Sequence, residues 1–192
     1  MELGHGEPED LEFQEAGGAL DHADPTQVSS HAKNRGRDQL GTMGAGNHFV
    51  EVGRVERIFD ETAAKALGLF SDQVTVLIHT GSRGLGHQIA TDYIKTMLRK
   101  MRDYGIELPD PQLAAVPLSK PEGERYFGAM AAAANFAWAN RQMITAEVRE
   151  AWRAVLGAGE GALRVVYDVA HNIAKRETYG GKDVIVHRKG AT

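Results

Sequence analysis

The sequence predicts one domain that mixes helices with strands, of either the α/β or the α+β class. Hydrophobic residues make up 42% of its 192 residues and charged residues 25%, which is typical of globular domains with a packed core. No apolar run reaches the roughly 18 residues of a transmembrane helix. The first residues also lack the basic start and apolar stretch of a signal peptide. We therefore expect a soluble, cytoplasmic protein.

Caps and periodicity predict three shorter helices. Asp24 resembles the N-cap of a helix that should end by Gly36. Asp60 begins a short helix that Gly68 closes. A third helix follows residue 86, and the residues that recur at intervals of four and mark its core face are Ile89, Tyr93, Met97 and Met101.

The longest predicted helix covers residues 121–156 and should end at Gly157 and Gly159. Its clearest apolar stripe consists of Val148, Trp152 and Val155. Asn135 and Asn140 lie inside this helix, although asparagine favours helix caps. We interpret both asparagines as polar residues on its outer face.

Four strands are predicted. Residues 48–52 form the first, and residues 74–78 form a second that should be buried because it is apolar on both faces. An apolar third strand covers residues 163–169. After a glycine turn at residues 180–181, a fourth strand covers residues 184–187.

Charge is distributed unevenly along the chain. The net charge is −4, so a nucleic-acid partner would need a local basic patch. Residues 1–32 contain eight acidic residues and no lysine or arginine, which predicts an exposed acidic flank. The third helix carries basic residues that could follow a nucleic-acid backbone, but we interpret them as a solvated face: Lys95, Arg99, Lys100 and Arg102.

Three histidines occupy the same kind of position. His48 follows a glycine-rich segment, His79 ends a predicted strand, and His171 follows another. Ligands and metals often bind where strands end beside loops, and imidazole is a common ligand of transition metals. The three residues are therefore candidate metal ligands, although three ordinary histidines bonded to backbone would give the same pattern.

The glycine-rich loop at residues 81–86 lies between a strand and a helix, where backbone N–H groups favour phosphate. It matches neither the Rossmann nor the P-loop pattern, so both classes of nucleotide site are disfavoured. Arg83 either contacts a phosphate or covers the turn as a surface arginine. Glu51 is either an acceptor near His48 or a solvent-facing residue. The absence of cysteine excludes disulfides, thiol nucleophiles and cysteine-bound metal within this chain.

Five stretches of the chain carry distinctive motifs, in this order: residues 39–51, 78–88, 134–142, 167–175 and 186–192. The first ends in Gly-Asn-His-Phe-Val-Glu, and the fourth contains His-Asn. Together they resemble the RtcB family, RNA-splicing ligases that use GTP and Mn²⁺. The resemblance implies an α+β fold with mixed sheet layers flanked by helices, of which this chain would be the central, incomplete part.

The resemblance also implies a role for each candidate residue. One Mn²⁺ ion is expected on His48, and a second on His79 and His171. Arg83 corresponds to an arginine that contacts the RNA substrate or its phosphate. The implied reaction joins an RNA 3′-phosphate or 2′,3′-cyclic phosphate end to a 5′-hydroxyl end, through a histidine that takes up GMP. The residues expected at the GTP site are Asn47, His48, Phe49, Val50, Glu51, His171 and Asn172.

Two parts of the family's site are expected to lie outside this chain. An Asp-x-Gly-Cys segment precedes the first motif in that family, and the histidine that takes up GMP follows the last motif. We therefore expect no catalytic nucleophile in residues 1–192 and no ligation by the isolated chain. The alternative is a stand-alone metal- or nucleotide-binding module without ligase activity. The resemblance suggests two partners, RNA (tRNA halves or broken RNA) and the activating protein archease.

Overall fold

One long helix, α4 (Pro121–Leu156), is the central element of the fold. The computed structural model describes residues 4–157 and 161–190. In these residues α1 (Ser30–Gly36) packs on α3 (Arg83–Lys100), and α3 packs on α4. Their apolar faces meet in a cluster formed by Val28, Ala32, Leu85, Ile89, Ala129 and Ala133. A second cluster joins α4 to other segments through Leu20, Ala131, Trp138 and Ile173.

The strands form two separate antiparallel pairs. β1 (Phe49–Arg54) pairs with β2 (Val74–His79), and the short α2 (Glu61–Ala66) lies in the connection between them. β3 (Asn172–Tyr179) pairs with β4 (Lys182–Lys189) across the predicted glycine turn. The combination of packed helices with antiparallel strand pairs confirms the α+β class.

Most of the predicted helices are confirmed. α4 begins and ends near the predicted residues. Asp60 caps α2, because its carboxylate accepts hydrogen bonds from the N–H groups of Thr62 and Ala63. The core face predicted for α3 is also confirmed, since Ile89 and Met97 are buried there. Caps and a regular apolar spacing were sufficient signals for these elements.

The predicted helix start at Asp24 is wrong. Asp24 accepts a hydrogen bond from the N–H of Thr26 at 2.9 Å and caps only a 3₁₀ turn, Pro25–Gln27. Val28 then takes an extended conformation, which places its side chain in the core cluster. Ser29 caps α1 instead, and the predicted end of that helix by residue 36 is confirmed.

The apolar stripe of α4 is only partly buried, because Val148 and Trp152 are half-buried and Val155 is 80% exposed. The buried side of α4 includes Phe127, Ala131, Ala137, Trp138 and Ile144. Alanines allow close helix packing but add little to a pattern of large apolar residues.

Glu2 and Gly159, together with the last two residues of the fifth motif, lie outside the described residues. Within the described ranges, no helix has both the length and the hydropathy to cross a bilayer.

Two predictions about strands are wrong. Residues 74–78 do form a strand, but Leu77 is 52% exposed because the ladder of β2 contains only β1 among the described residues. Residues 163–169 form no strand and make a single bridge, between Asp168 and Gln14. The chain at Gln14 continues directly into a 3₁₀ turn, Glu15–Gly18, so it cannot extend that pairing.

The prediction of an exposed acidic flank is confirmed only in part, because Glu7, Glu9, Glu12 and Asp21 are exposed but other carboxylates of the segment are not. Asp10 is only 3% exposed and accepts two hydrogen bonds from Arg149 of α4, each of 2.7 Å. Glu15 accepts a hydrogen bond from Lys175 of β3 at 2.8 Å. The cations that neutralise these carboxylates are distant in sequence, so local composition could not reveal them.

Candidate metal centre

Three histidines that are far apart in the sequence lie together in the structure. The ring centroid of His79 is 6.3 Å from that of His48 and 5.1 Å from that of His171. The planes of His48 and His79 differ by 10°, whereas His79 and His171 meet edge to face at 75°. The structure therefore brings together the three histidines predicted as metal ligands.

Strand pairing places these histidines. Phe49, which directly follows His48, pairs with His79 in the β1–β2 ladder, so one register positions both imidazoles. The ring of Phe49 also contacts that of His79 edge to face, with 5.3 Å between centroids. His171 directly precedes β3, and its carbonyl accepts a hydrogen bond of 2.7 Å from the N–H of Gly190. The end of each strand pair thus contributes to the centre.

Burial and nearby cations favour the neutral form of two imidazoles. Desolvation lowers the pKa of His48 below its ordinary value, and the charges of Arg83 and His79 lower it further. Desolvation also lowers the pKa of His171, followed by the charges of His79 and Lys189. A neutral imidazole keeps a nitrogen lone pair, which is the form that binds a metal.

Arg83 lies beside His48 because a glycine allows both side chains to approach. Its Nε donates to Oγ1 of Thr42 at 3.1 Å. A β-carbon at Gly44 would lie 2.7 Å from Nη1 of Arg83 and would collide with Nδ1 of His48. The glycine-rich segment before His48 therefore packs directly on a candidate ligand and on the predicted phosphate contact.

The backbone N–H groups of the 81–86 loop are partly used within the chain. The N–H of Gly84 donates to Oε1 of Gln39 at 2.7 Å. The N–H of Gly86 donates to the carbonyl of Ser82 at 3.3 Å. These bonds occupy two of the loop's N–H groups, and the side chain of Arg83, which lines the cleft, is a further candidate contact for phosphate.

The residues predicted for the GTP site divide into two groups. Asn47 and Asn172 are exposed along the cleft that the three histidines line. Val50 lies on a small apolar groove beside Ile144, and Glu51 is exposed on β1 outside the cleft. The structure therefore brings the two asparagines to the histidines but not Val50 or Glu51.

The histidines open onto a cleft of about 2360 Å³. Its walls carry both carboxylates and basic side chains, and Arg141 and Arg188 are paired with Asp168 and Glu177. The charges of Arg83 and Lys189 act directly on His48 and His171. Guanidinium and ammonium groups attract phosphate and can bind it through charge-assisted hydrogen bonds. The cleft thus suits an anionic ligand beside the imidazoles.

The predicted outer-face position of the two α4 asparagines is wrong. Asn140 is fully buried; it accepts from the N–H of Thr42 and donates to the carbonyls of Thr42 and Gly81, at 3.0, 3.2 and 3.1 Å. Asn135 is half-buried and bonds to the N–H and the carbonyl of Leu20. Asparagine inside a helix is unfavourable without such a partner. That preference was the signal for a role in this region.

Arg141, which follows Asn140, was also missed by sequence reasoning. Its Nε donates to Oδ1 of Asp168 at 2.6 Å, and its Nη1 donates to the carbonyl of Thr80 at 3.2 Å. Burial raises the pKa of Asp168, while the charge of Arg141 opposes that shift. Oγ1 of Thr80 in turn lies 2.9 Å from Nδ1 of His48. Nη2 of Arg141 is buried and has no hydrogen-bond partner among the described residues.

The donor set fits a divalent cation only in part. In residues 4–157 and 161–190, no group of three or more histidine, aspartate or glutamate side chains has the arrangement of a complete metal site. The rings of His79 and His171, 5.1 Å apart, are close enough to share one ion, since metal–nitrogen bonds measure about 2.1 Å. Further ligands would have to complete such a site.

Known proteins that are similar to this chain share one description. A family model described as tRNA-splicing ligase RtcB matches residues 1–192. The chain is 56% identical to the tRNA-splicing ligase RtcB of Aeropyrum pernix, over 98% of this chain and 40% of that protein. It is 56% identical to the tRNA-splicing ligase RtcB of Pyrococcus furiosus, over 100% of this chain and 20% of that protein. It is 54% identical to the tRNA-splicing ligase RtcB of Thermococcus kodakarensis, over 100% of this chain and 41% of that protein.

The chain thus spans less than half the length of each of these curated relatives. The family model covers the whole chain, including all five motifs. Identity above half of the residues over such a length confirms the resemblance that those motifs carry. The chain belongs to the RtcB family.

Proposed function

We propose that this chain forms part of the active site of an RNA ligase. The ligase joins RNA 3′-phosphate or 2′,3′-cyclic phosphate ends to 5′-hydroxyl ends with GTP and Mn²⁺, in the cytoplasm. The convergence of His48, His79 and His171 at one cleft carries the proposal, because imidazoles beside basic side chains suit metal-assisted chemistry on phosphate. The name tRNA-splicing ligase of the relatives supports RNA as the substrate.

The three histidines would hold metal in two sets. His79 and His171 would share one Mn²⁺ ion, which their shorter separation of 5.1 Å supports, and His48 would bind a second. Such ions, when bound, neutralise negative charge that develops on a transferred phosphoryl group. The chain itself supplies imidazoles with lowered pKa values at His48 and His171, which stay neutral at pH 7.

The nucleotide and the RNA would bind around these ions. The amides of Asn47 and Asn172, exposed at the cleft, can donate to phosphate oxygens without adding charge. The guanidinium of Arg83 can pair with an RNA phosphate through two parallel hydrogen bonds. We assign to the GTP site Asn47, His48, His171 and Asn172, with Phe49 beside them through its ring contact with His79.

A chimera tests the proposal, because the chain matches 40% of the Aeropyrum pernix relative. In the chimera this chain replaces the matching segment of that protein. Joining of a 3′-phosphate RNA to a 5′-hydroxyl RNA is then measured with GTP and MnCl₂. We expect joined product from the chimera and none from the isolated chain. A folded chimera that forms neither joined RNA nor a GMP adduct would contradict the ligase role and favour a metal- or nucleotide-binding module.

Histidine variants separate the centre from general folding. His79→Ala and His171→Ala in the chimera should slow joining at least as much as the loss of a ligand-orienting residue, which costs about 10–100-fold. His31→Ala, exposed on α1 and outside the cleft, should keep the rate of the parent.

In the isolated chain, calorimetry should show weak Mn²⁺ or Zn²⁺ binding that His171→Ala reduces. Unchanged metal affinity in His171→Ala would count against the assignment.

A further inference from the structure

Two adjacent polar residues of α4, Asn140 and Arg141, bond to the segments that carry the three histidines. Both side chains are buried, and a buried polar group costs free energy unless it is hydrogen-bonded. Apolar side chains of similar volume often serve stability as well as buried charged ones. The hydrogen bonds of this pair therefore point to a role beyond filling the core.

Asn140 joins the segment before His48 to the segment after His79. Its Oδ1 accepts from the N–H of Thr42 at 3.0 Å. Its Nδ2 donates to the carbonyls of Thr42 and Gly81, at 3.2 and 3.1 Å. Thr42 lies in the glycine-rich stretch that leads to His48, and Gly81 closely follows His79. One buried side chain thus holds both backbone segments together.

Arg141 extends the same connection to the third histidine. Its Nη1 donates to the carbonyl of Thr80, the residue that follows β2, at 3.2 Å. Its Nε donates at 2.6 Å to Oδ1 of Asp168, which shortly precedes His171. The hydroxyl of Thr80 is also 2.9 Å from Nδ1 of His48. The guanidinium therefore ties the start of β3 to the end of β2.

We propose that Asn140 and Arg141 are positioning residues, which hold His48, His79 and His171 in the arrangement that binds metal. This inference rests on the proposed function, because it gives α4 the task of orienting the ligands named there. Residues that orient ligands without touching the ion typically change metal affinity or activity by about 10–100-fold when they are removed.

A matched asparagine on the same helix provides the control. Asn135 bonds to the N–H and the carbonyl of Leu20 at 2.8 and 3.2 Å, and that segment carries none of the three histidines. Both Asn140→Ala, which removes three hydrogen bonds at a fully buried site, and Asn135→Ala, which removes two at a half-buried site, should lower the thermal unfolding midpoint of the 192-residue chain. Only Asn140→Ala should weaken Zn²⁺ binding in calorimetry, by about tenfold or more.

A matched pair of arginines keeps the test informative if Asn140→Ala does not fold. Arg141 and Arg149 are both buried and each pairs with an aspartate, Asp168 and Asp10 respectively. Lysine can keep an ion pair but lacks the planar fork that reaches two acceptors. Arg141→Lys should therefore lose the bond to Thr80 and weaken Zn²⁺ binding, whereas Arg149→Lys should not.

Ring contacts in the metal-free chain give a readout that does not depend on activity. With histidines selectively labelled, nuclear Overhauser effects should connect His79 to His171 in the parent and in Asn135→Ala and should disappear in Arg141→Lys. Asn140→Ala should instead shift the ring resonances of His48 and His79, whose segments Asn140 joins. The proposal is overturned if Asn140→Ala and Arg141→Lys keep both the ring arrangement and the Zn²⁺ affinity of the parent. It is also overturned if the controls Asn135→Ala and Arg149→Lys lose as much Zn²⁺ affinity as these two variants. If His79→Ala leaves the Zn²⁺ affinity unchanged, the histidines are not the metal ligands and the proposed function fails. The ring contacts alone then decide whether Asn140 and Arg141 position the histidines.

Discussion

The N-terminal segment and the β1–β2 pair show opposite relations between composition and burial. The first is acidic, yet Asp10 and Val28 are 3% and 5% exposed. The second is largely apolar, yet Val52 is 67% exposed. The difference lies in the partners: α4 presents Arg149 to the acidic segment, whereas the described residues leave the side chain of Val52 open to solvent.

This contrast shows that burial depends on what a segment meets and not on its composition alone. An acidic segment is buried when cations and amides from another element satisfy its carboxylates. An apolar strand pair stays exposed when no second layer covers it. The matched relatives are more than twice as long as this chain, so proteins of that length have further chain available to cover such a face.

Removal of the Asp10 carboxylate should cause the largest loss of stability. In Asp10→Ala the buried guanidinium of Arg149 loses both 2.7 Å hydrogen bonds, and the loss of one partner of a buried ion pair costs about 3–5 kcal/mol. Urea unfolding measures the change. Glu12→Ala, in an exposed position of the same segment, should cost less than about 0.5 kcal/mol. Equal losses in the two variants would contradict docking of this segment on α4.

Truncation of an apolar residue should distinguish the two regions next. Ile89→Ala removes a side chain that is 3% exposed in the helical core and should cost about 2–5 kcal/mol of unfolding free energy. Val52→Ala should cost less than about 0.5 kcal/mol, because that side chain loses little burial.

Light scattering on Val52→Thr sharpens the same point. An exposed apolar face promotes association, so we expect the isolated chain to self-associate and this variant to do so less. A parent chain that stays monodisperse at high concentration would contradict the expectation.

The stability that Asp10 provides should depend on pH. Burial raises the pKa of Asp10, but hydrogen bonds from Arg149, the Glu7 backbone and Gln142 together outweigh it, so the pKa lies below its ordinary value of 3.8. A depressed pKa in the folded state stabilises the protein above the unfolded-state pKa, and that stabilisation disappears as the pH falls through the folded-state value. Urea unfolding of the parent and Asp10→Asn should therefore differ most near neutral pH and converge in acid. A constant difference across that range would exclude the linkage.

The three candidate metal ligands could be found from the sequence because each histidine carries its own signal. The structure brings His48, His79 and His171 together, although His171 precedes the unpredicted strand β3 and does not follow a strand at residues 163–169. Asn140 and Arg141 act through partners that are far away in sequence, so their residue types reveal only that a partner is needed. The strand predicted at residues 163–169 failed for the same reason, since strand formation requires a neighbour that local pattern does not show.

The smallest effect should come from the ion pair at the end of β1. Arg54 and Asp72 are 2.9 Å apart, like the Asp10 pair in length, but their side chains are 64% and 76% exposed. Water screens exposed charges and the pairing costs side-chain entropy, so such pairs contribute less than about 1 kcal/mol. Asp72→Ala also replaces a residue with a φ of +64°, so Arg54→Ala is the cleaner change. The urea midpoint of Arg54→Ala should stay near that of the parent. If Arg54→Ala lost as much unfolding free energy as Asp10→Ala, burial would not explain why the two ion pairs differ in strength.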